Sequence, residues 1–403
     1  MKRFDERDLV VSRIGLTENS KKYENFYTRH PELLDSDRKT RELAMKVVAK
    51  NFGVTPEKVK KRLKKLVIMQ KIMGSITRLT GIKAPSKFSI EGIMPPEKTR
   101  EGIAKYKLFA PAIAAAFSIN KALGKSKVSK DKVDIGPEKM TLLIKKIASL
   151  YGADLVGVAE FKKHQRYSHR GDKLGIGIEY GKPIDASYKY AIVVGAAMDK
   201  DMVNRAPKKE IMISSMLEYS QTTFITEQLA SYVKSLGYDA LTDNFVKYYS
   251  PMTPLAAEAG LGQIGRCNMV VNENFGNRVR FAAVLTDLPL VVDKPVDFGM
   301  VEICAKCGKC ARNCPAKAIS FGEPSKINGL MQWEHDENKC FEMWMKVGSD
   351  CGVCLSSCPF SQGVDQALST KMKQDETAID QIISQDNEEH GKRVFLKEGW
   401  PVK

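Results

Sequence analysis

Polar and apolar positions change rhythm along this chain of 403 residues. Residues 1–45 are polar and charged with few periodic signals, and residues 43–80 read as helix. Pro85, Pro95, Pro96 and GKSKVSKDK (124–132) mark loops. From Pro137 the texture changes. PEKMTLLIKKIASLYG (137–152) places apolar residues at helical spacing and stops at a glycine, and ADLVGVAEF (153–161) follows as a buried strand. YAIVVGAAM (190–198) predicts a second strand, Lys208 to Leu236 a long helix ending before Gly237, and Ala282 to Leu288 a third strand. Helices alternating with buried strands indicate an α/β sandwich.

Composition narrows this picture. Hydrophobic residues make up 43% and charged residues 28% of the chain, as in an ordinary globular protein of two or three domains. No stretch approaches 18 uninterrupted apolar residues, so no membrane-spanning helix is expected. The opening MKRFDERDLVV has neither an apolar signal core nor a twin-arginine pair, so a reducing cytoplasm is expected. The net charge of +16 is concentrated in residues 51–140, with 20 Lys and Arg against 7 Asp and Glu. There KVKKRLKK (58–65) alternates with apolar runs such as LFAPAIAAAFSI (108–119), the pattern of helices with one cationic face. Peripheral contact with the inner face of a membrane is the partner this block suggests; a solvated lysine-rich face is the plainer reading.

Cysteine supplies the chemistry. Cys304, Cys307, Cys310 and Cys314 stand as C-x2-C-x2-C-x3-C before Pro315, and Cys340, Cys351, Cys354 and Cys358 as C-x10-C-x2-C-x3-C before Pro359. In such pairs of runs three thiolates grip one [4Fe–4S] cluster while the cysteine before the proline reaches the other. Cys304, Cys307, Cys310 and Cys358 are therefore assigned to one cluster, and Cys314, Cys340, Cys351 and Cys354 to the second. Disulfides would need an oxidising compartment, and zinc sites usually lack a third cysteine at the same step. Cys267, far from both runs, reads as a small buried residue. Two clusters in series form a wire whose terminus would be a flavin, a corrinoid or a partner protein. There is no P-loop, no D-x-H-x-x-G motif and no metal-spaced group among the five histidines. GLGQIG (260–265) has only loosely the form of a dinucleotide fingerprint; Gly260, Gly262 and Gly265 suit a turn that lets backbone approach a phosphate or a ring.

Several stretches together resemble a family. KYENFYTRHPELLDSDRKTR (22–41), RYSHRGDKLG (166–175), AIVVGAAMDKDM (191–202), LEYSQTT (217–223), AGLGQIGR (259–266) and NRVRFAAVLTDLPLVVDKPVDFG (277–299), leading into the double cysteine motif, are similar to the corrinoid-dependent reductive dehalogenases. The resemblance implies an α+β fold: a nitroreductase-like α/β sandwich that binds base-off cobalamin, with an inserted ferredoxin-like domain carrying two [4Fe–4S] clusters. On that basis residues 1–136 form an N-terminal extension with the basic block, 137–299 the corrinoid-binding domain, 300–365 the ferredoxin-like domain and 366–403 a segment returning to the core. It also implies a tyrosine proton donor, a cation that favours its phenolate and an asparagine bordering the substrate. By position these are Tyr219, Arg280 and Asn244. Gly260, Gly262, Gly265, Tyr167, Ser168 and His169 are the implied cofactor contacts. The basic block has no counterpart in the resemblance, and Cys267 stands where a non-thiol residue is more usual.

The function implied is reductive removal of halogen from an organohalide, with electrons from a low-potential donor such as ferredoxin or flavodoxin. Two alternatives stand beside it. Epoxyqueuosine reductase, a relative, uses the same cofactors to reduce an epoxide on a tRNA base, although nucleic acid is not an expected partner here. A non-catalytic iron–sulfur electron carrier is the other.

Overall fold

The computed structural model describes residues 3–51, 55–57, 115–116, 118–123, 126–171, 180–327 and 329–398. Most of the basic block, including 58–65 and 108–114, lies outside the described residues, as do residues 172–175 of the stretch 166–175.

The centre of the fold is an antiparallel sheet. Its strands come from β1 (Leu155–Glu160), β2 (Tyr190–Ala197), β3 (Ala240–Asp243) and β6 (Val279–Thr286), in the order β1-β2-β6-β3; β4 (Gln263–Ile264) and β5 (Val270–Val271) form a separate small hairpin. Alternation along β6 sorts its side chains between two layers. Ala282 and Val284 join Val158, Ile192 and Val194 against the helices Pro137–Leu150 and Lys209–Ser235. Ala283 and Leu285 face the other way, onto the helix Met252–Glu258. Arg280 shares the parity of Ala282, so it points toward the long helix at the end of the sheet where Ala196 pairs with it.

The long helix runs 27 residues without an internal glycine or proline. Ile225, Leu229 and Val233 are fully buried on its sheet-facing side, each contributing about 1.5–3 kcal/mol of burial. Its buried threonines bond back along the helix: Thr222 donates to the Glu218 carbonyl at 2.8 Å and Thr223 to the Tyr219 carbonyl at 2.7 Å. The helix ends at Ser235 and Gly237 follows at φ 86°, close to the sequence reading.

Residues 1–45 depart from that reading. They form helices Val10–Ile14 and Lys21–Arg29 and the start of Leu34–Asn51. Charge carries much of their packing. Buried Arg13 pairs with Asp37 at 2.8 Å, and Tyr27 donates to the same carboxylate at 2.9 Å. The last helix packs on the helix Glu337–Val347, which carries Cys340, with Thr40 donating to Glu342 at 3.2 Å. At the other end of the chain, Ile379 and Ile382 of the helix Glu376–His390 close a core with Met300, Ile303, Cys307 and Phe360.

Candidate functional site

The eight motif cysteines fall into two sets. Cys304 and Cys307 lie on the helix Met300–Cys307, Gly308 turns the chain at φ 51°, and Cys310 follows in the helix Lys309–Asn313. Cys358, at the cap of Pro359–Gln362, returns to them, and all four line one cavity of about 30 Å³. Cys314, Cys340 and Cys351 stand near enough for the charge of one to be felt by the others, and Cys354 feels both Cys340 and Cys351. The C-x2-C turn here uses Gly352 at φ 60°; a Cβ on it would meet the Ile211 side chain at 2.0 Å. Thus each cysteine before a proline lies with the other run.

The donor set is thiol throughout, which suits iron–sulfur chemistry. Burial pushes the thiols of Cys304 and Cys340 up to about 12, so a cluster entering the site must displace their protons. Among the described residues no three His, Cys, Asp or Glu side chains stand close enough to hold a single metal ion. Zinc needs its ligands about 2.0–2.3 Å away, whereas a cubane spreads four thiolates over its corners.

Cys267 is buried, as expected for a small residue, but its place was not legible. It packs with Cys310, Cys314 and Cys354, between the two sets, and accepts from Asn277 Nδ2 at 3.2 Å. The glycine-rich turn before it holds this arrangement. A Cβ on Gly265 would stand 3.5 Å from Cys304 Sγ and 2.9 Å from Val271, one on Gly262 2.2 Å from the Val271 carbonyl, and one on Gly260 2.6 Å from the Lys294 carbonyl. Arg266 donates its backbone N–H toward Cys304 Sγ at 3.4 Å and its guanidinium to the carbonyls of Cys304 and Ser320 at 2.9 and 2.8 Å.

Beyond the second cysteine set lies a cavity of about 160 Å³, lined by Tyr219, Tyr248, Met252, Thr253, Met269, Val270, Val279, Arg280 and Phe281. Met269 also packs on the buried cluster that includes Cys351, so one side chain links the cavity to the surroundings of the second cysteine set. The Arg280 guanidinium lies 5.2 Å from the Tyr219 ring centroid, donates to Ser215 Oγ at 2.6 Å and stands 3.5 Å from the Asp350 carboxylate. Burial opposes its charge most strongly of any single cause, but Tyr219, Asp350, Tyr248 and Glu218 together outweigh it and raise its pKa. Its Nε is buried without a partner. Phe245 stacks on Tyr219 at 4.8 Å, and burial raises the neighbouring Tyr248 well above the ordinary phenol value. At this volume the cavity falls below the roughly 300 Å³ at which sites for drug-sized molecules begin. Among the described residues it is too small to enclose a macrocycle.

Tyr219 and Arg280 therefore meet, while Asn244 stands apart from the cavity wall. Fully buried, Asn244 donates to Thr226 Oγ1 and Glu227 Oε1, both at 3.2 Å, and it precedes Phe245. Tyr167, Ser168 and His169 lie on a segment tied to the N-terminus. Arg3 donates to the Tyr167 carbonyl at 2.6 Å, Ser168 N–H to the Phe4 carbonyl at 2.7 Å, and His169 Nδ1 is 3.4 Å from Asp5. Tyr167 packs with Tyr248 and Tyr249, one shell behind the cavity. Ser215, Asp350 and Met269 were missed from sequence; the only signal was the position of Asp350 immediately before Cys351.

Residues 303–362 match the family model described as a 4Fe-4S dicluster domain. The tetrachloroethene reductive dehalogenase of Sulfurospirillum multivorans is 34% identical over 258 residues, 56% of this chain and 51% of that protein. A solved reductive dehalogenase, reported with a mechanism for B12-dependent dehalogenation, superposes with a TM-score of 0.62 at 27% identity, covering 70% of this chain and 41% of its own. The epoxyqueuosine reductase of Lactococcus garvieae is 27% identical over 131 residues, 30% of this chain and 35% of that protein. The chain spans about half the length of the reductive dehalogenases it matches, at 51% and 48%. In sequence and in fold the chain is related to the reductive dehalogenases, with epoxyqueuosine reductase a more distant relative.

Proposed function

We propose that the chain reductively dehalogenates a small organohalide in the cavity beside Tyr219. The overall change is R–X + 2 e⁻ + H⁺ → R–H + X⁻: the carbon–halogen bond breaks, a carbon–hydrogen bond forms, and halide leaves. Electrons enter from a low-potential donor such as ferredoxin or flavodoxin and pass one at a time through the cluster of Cys304, Cys307, Cys310 and Cys358 and then that of Cys314, Cys340, Cys351 and Cys354. The relatives imply a corrinoid; this reading takes it as base-off and held in a nitroreductase-like domain, with Tyr167, Ser168, His169 and the turn of Gly260, Gly262 and Gly265 as its proposed contacts. The cavity itself is too small to enclose one.

The observation that carries the reading is the Arg280 guanidinium 5.2 Å from the Tyr219 ring at the wall of a cavity backed by Met269. Tyr219 is the proton donor. Once its proton goes to carbon, Arg280 faces the phenolate, and water restores the proton between turnovers. Phe245 fixes the ring from its other face. Asn244 positions Phe245 and borders the substrate only through it. The epoxide-reducing alternative rests on a match to 30% of this chain, against 56% for the dehalogenase.

The test is halide release by anaerobically reconstituted protein given corrinoid, reduced viologen and a panel of halogenated phenols and alkenes. Turnover lost in Tyr219→Phe with both clusters retained is the expected result. Halide release undiminished in Tyr219→Phe, or activity confined to a modified tRNA, would sink the proposal.

A further inference from the structure

Lys309 lies in the wall of the first cysteine set, between Cys307 and Cys310, and is 4% exposed. Its ammonium is paired inside the protein with the Asp386 carboxylate, itself 8% exposed, and also donates to the Asp386 carbonyl at 3.4 Å. Asp386 belongs to the helix Glu376–His390, which supplies Ile379 and Ile382 to the core around Cys307. His390, one turn on, contacts the other Asp386 oxygen at 3.1 Å. Two buried charges at this place are unusual. A buried ion pair is often no more stable than an apolar pair of the same volume, so stability alone is a weak reason to keep it.

We propose that the Lys309–Asp386 pair sets the reduction potential of the cluster held by Cys304, Cys307, Cys310 and Cys358, with Asp386 as the positioning residue that offsets the lysine charge. The inference rests on the [4Fe–4S] reading of that set. Taking up one electron from the donor adds one negative charge to the cluster, so net charge and hydrogen bonding nearby shift its potential. An unopposed Lys309 would favour the reduced form, and an unopposed Asp386 the oxidised form. The low dielectric of a buried site strengthens both effects. Asp386 thus keeps the lysine charge from raising the potential of the entry cluster, which stays low enough to pass its electron onward.

The sign of the effect separates this role from packing. Asp386→Asn keeps shape and removes charge, so the midpoint of one cluster should rise; Lys309→Met should lower it. Each reduction equilibrium should move about tenfold, or about 59 mV for a one-electron couple. The double variant, which buries no charge, should return toward the wild-type midpoint. The measurement is a dithionite redox titration of the cluster-loaded full chain followed by electron paramagnetic resonance, in which one wave moves and the other stays. Shifts of the same sign in both single variants, or no shift with the signals intact, would overturn the proposal. So would loss of the cluster in both single variants with its retention in the double, which would assign the pair to packing. Absence of any cluster signal in the wild-type chain would remove the iron–sulfur reading instead.

Discussion

Glu218 precedes Tyr219 on the long helix and is 8% exposed, with Ser214 Oγ 3.4 Å from its carboxyl. Burial is the main cause that lifts its carboxyl from the ordinary 4.5 to about 7, against the pull of Ser214 and Arg280. The folded protein therefore keeps a proton there that the unfolded chain releases near pH 4.5. Stability from this group is fully present below pH 4.5 and is lost as pH rises to about 7. The shift spans roughly 2.5 units at about 1.36 kcal/mol each, or about 3 kcal/mol at most. Screening of a side chain that still touches solvent brings it to about 2 kcal/mol. Glu218→Gln mimics the protonated acid and removes the titration. Urea unfolding of wild type and variant between about pH 5 and about pH 8 should give similar midpoints at the acid end, with the variant about 2 kcal/mol more stable at the alkaline end. Parallel curves, or a variant whose deficit grows with pH, would refute the assignment of a buried, neutral Glu218.

Three further outcomes follow from the same geometry. Arg280→Met leaves Asp350 without its cation and Ser215 without its donor, and should cost about 2–4 kcal/mol of stability and about 10²–10⁴-fold in dehalogenation rate, read by denaturation and halide release. Cys358→Ser should lower iron from about eight to about four atoms per chain by removing one cluster, whereas Cys267→Ala should leave about eight; metal analysis decides whether the ninth cysteine is a ligand. Gly262→Ala brings a Cβ within 2.2 Å of the Val271 carbonyl at φ 149°, and should cost about 2–4 kcal/mol with loss of iron, while Gly363→Ala, at φ 103° with nothing within 4 Å, should cost about 1 kcal/mol and keep its iron.

β1 and β2 were legible because their buried residues are apolar and consecutive. The long helix, whose buried face mixes Glu218, Thr222, Thr226 and Glu227 with Ile225, Leu229 and Val233, was legible from its length without glycine or proline and its stop before Gly237. The start of β6 was missed by three residues. Arg280 sits in that stretch, and a charge placed on a strand for the sake of a cavity breaks the alternation that identifies strands. The N-terminal helices were missed for a related reason: Arg13, Asp37 and Arg41 are buried through pairing, so their burial leaves no apolar trace. At the site, the grouping of eight cysteines was carried by spacing, since a tight metal loop is local in sequence. Cys267 between the sets, Met269 behind the cavity and Asp350 beside Arg280 depend on where separate elements meet, which no local pattern encodes.

Arg280 is the point at which the two proposed supply routes converge. One side of its guanidinium faces Tyr219, the proposed proton donor; the other faces Asp350, whose neighbour in the chain is Cys351. A group in this position must steady a phenolate during turnover and a carboxylate at rest without itself giving up a proton. A buried lysine meets the first demand but loses its proton readily when desolvated, whereas a guanidinium stays charged under the same burial. Its planar fork also reaches Ser215 and Asp350 from one side chain, so the orientation toward Tyr219 is fixed by the cluster loop itself. Tyr219, the proposed proton donor, is thereby linked through one side chain to the segment that carries the second cysteine set.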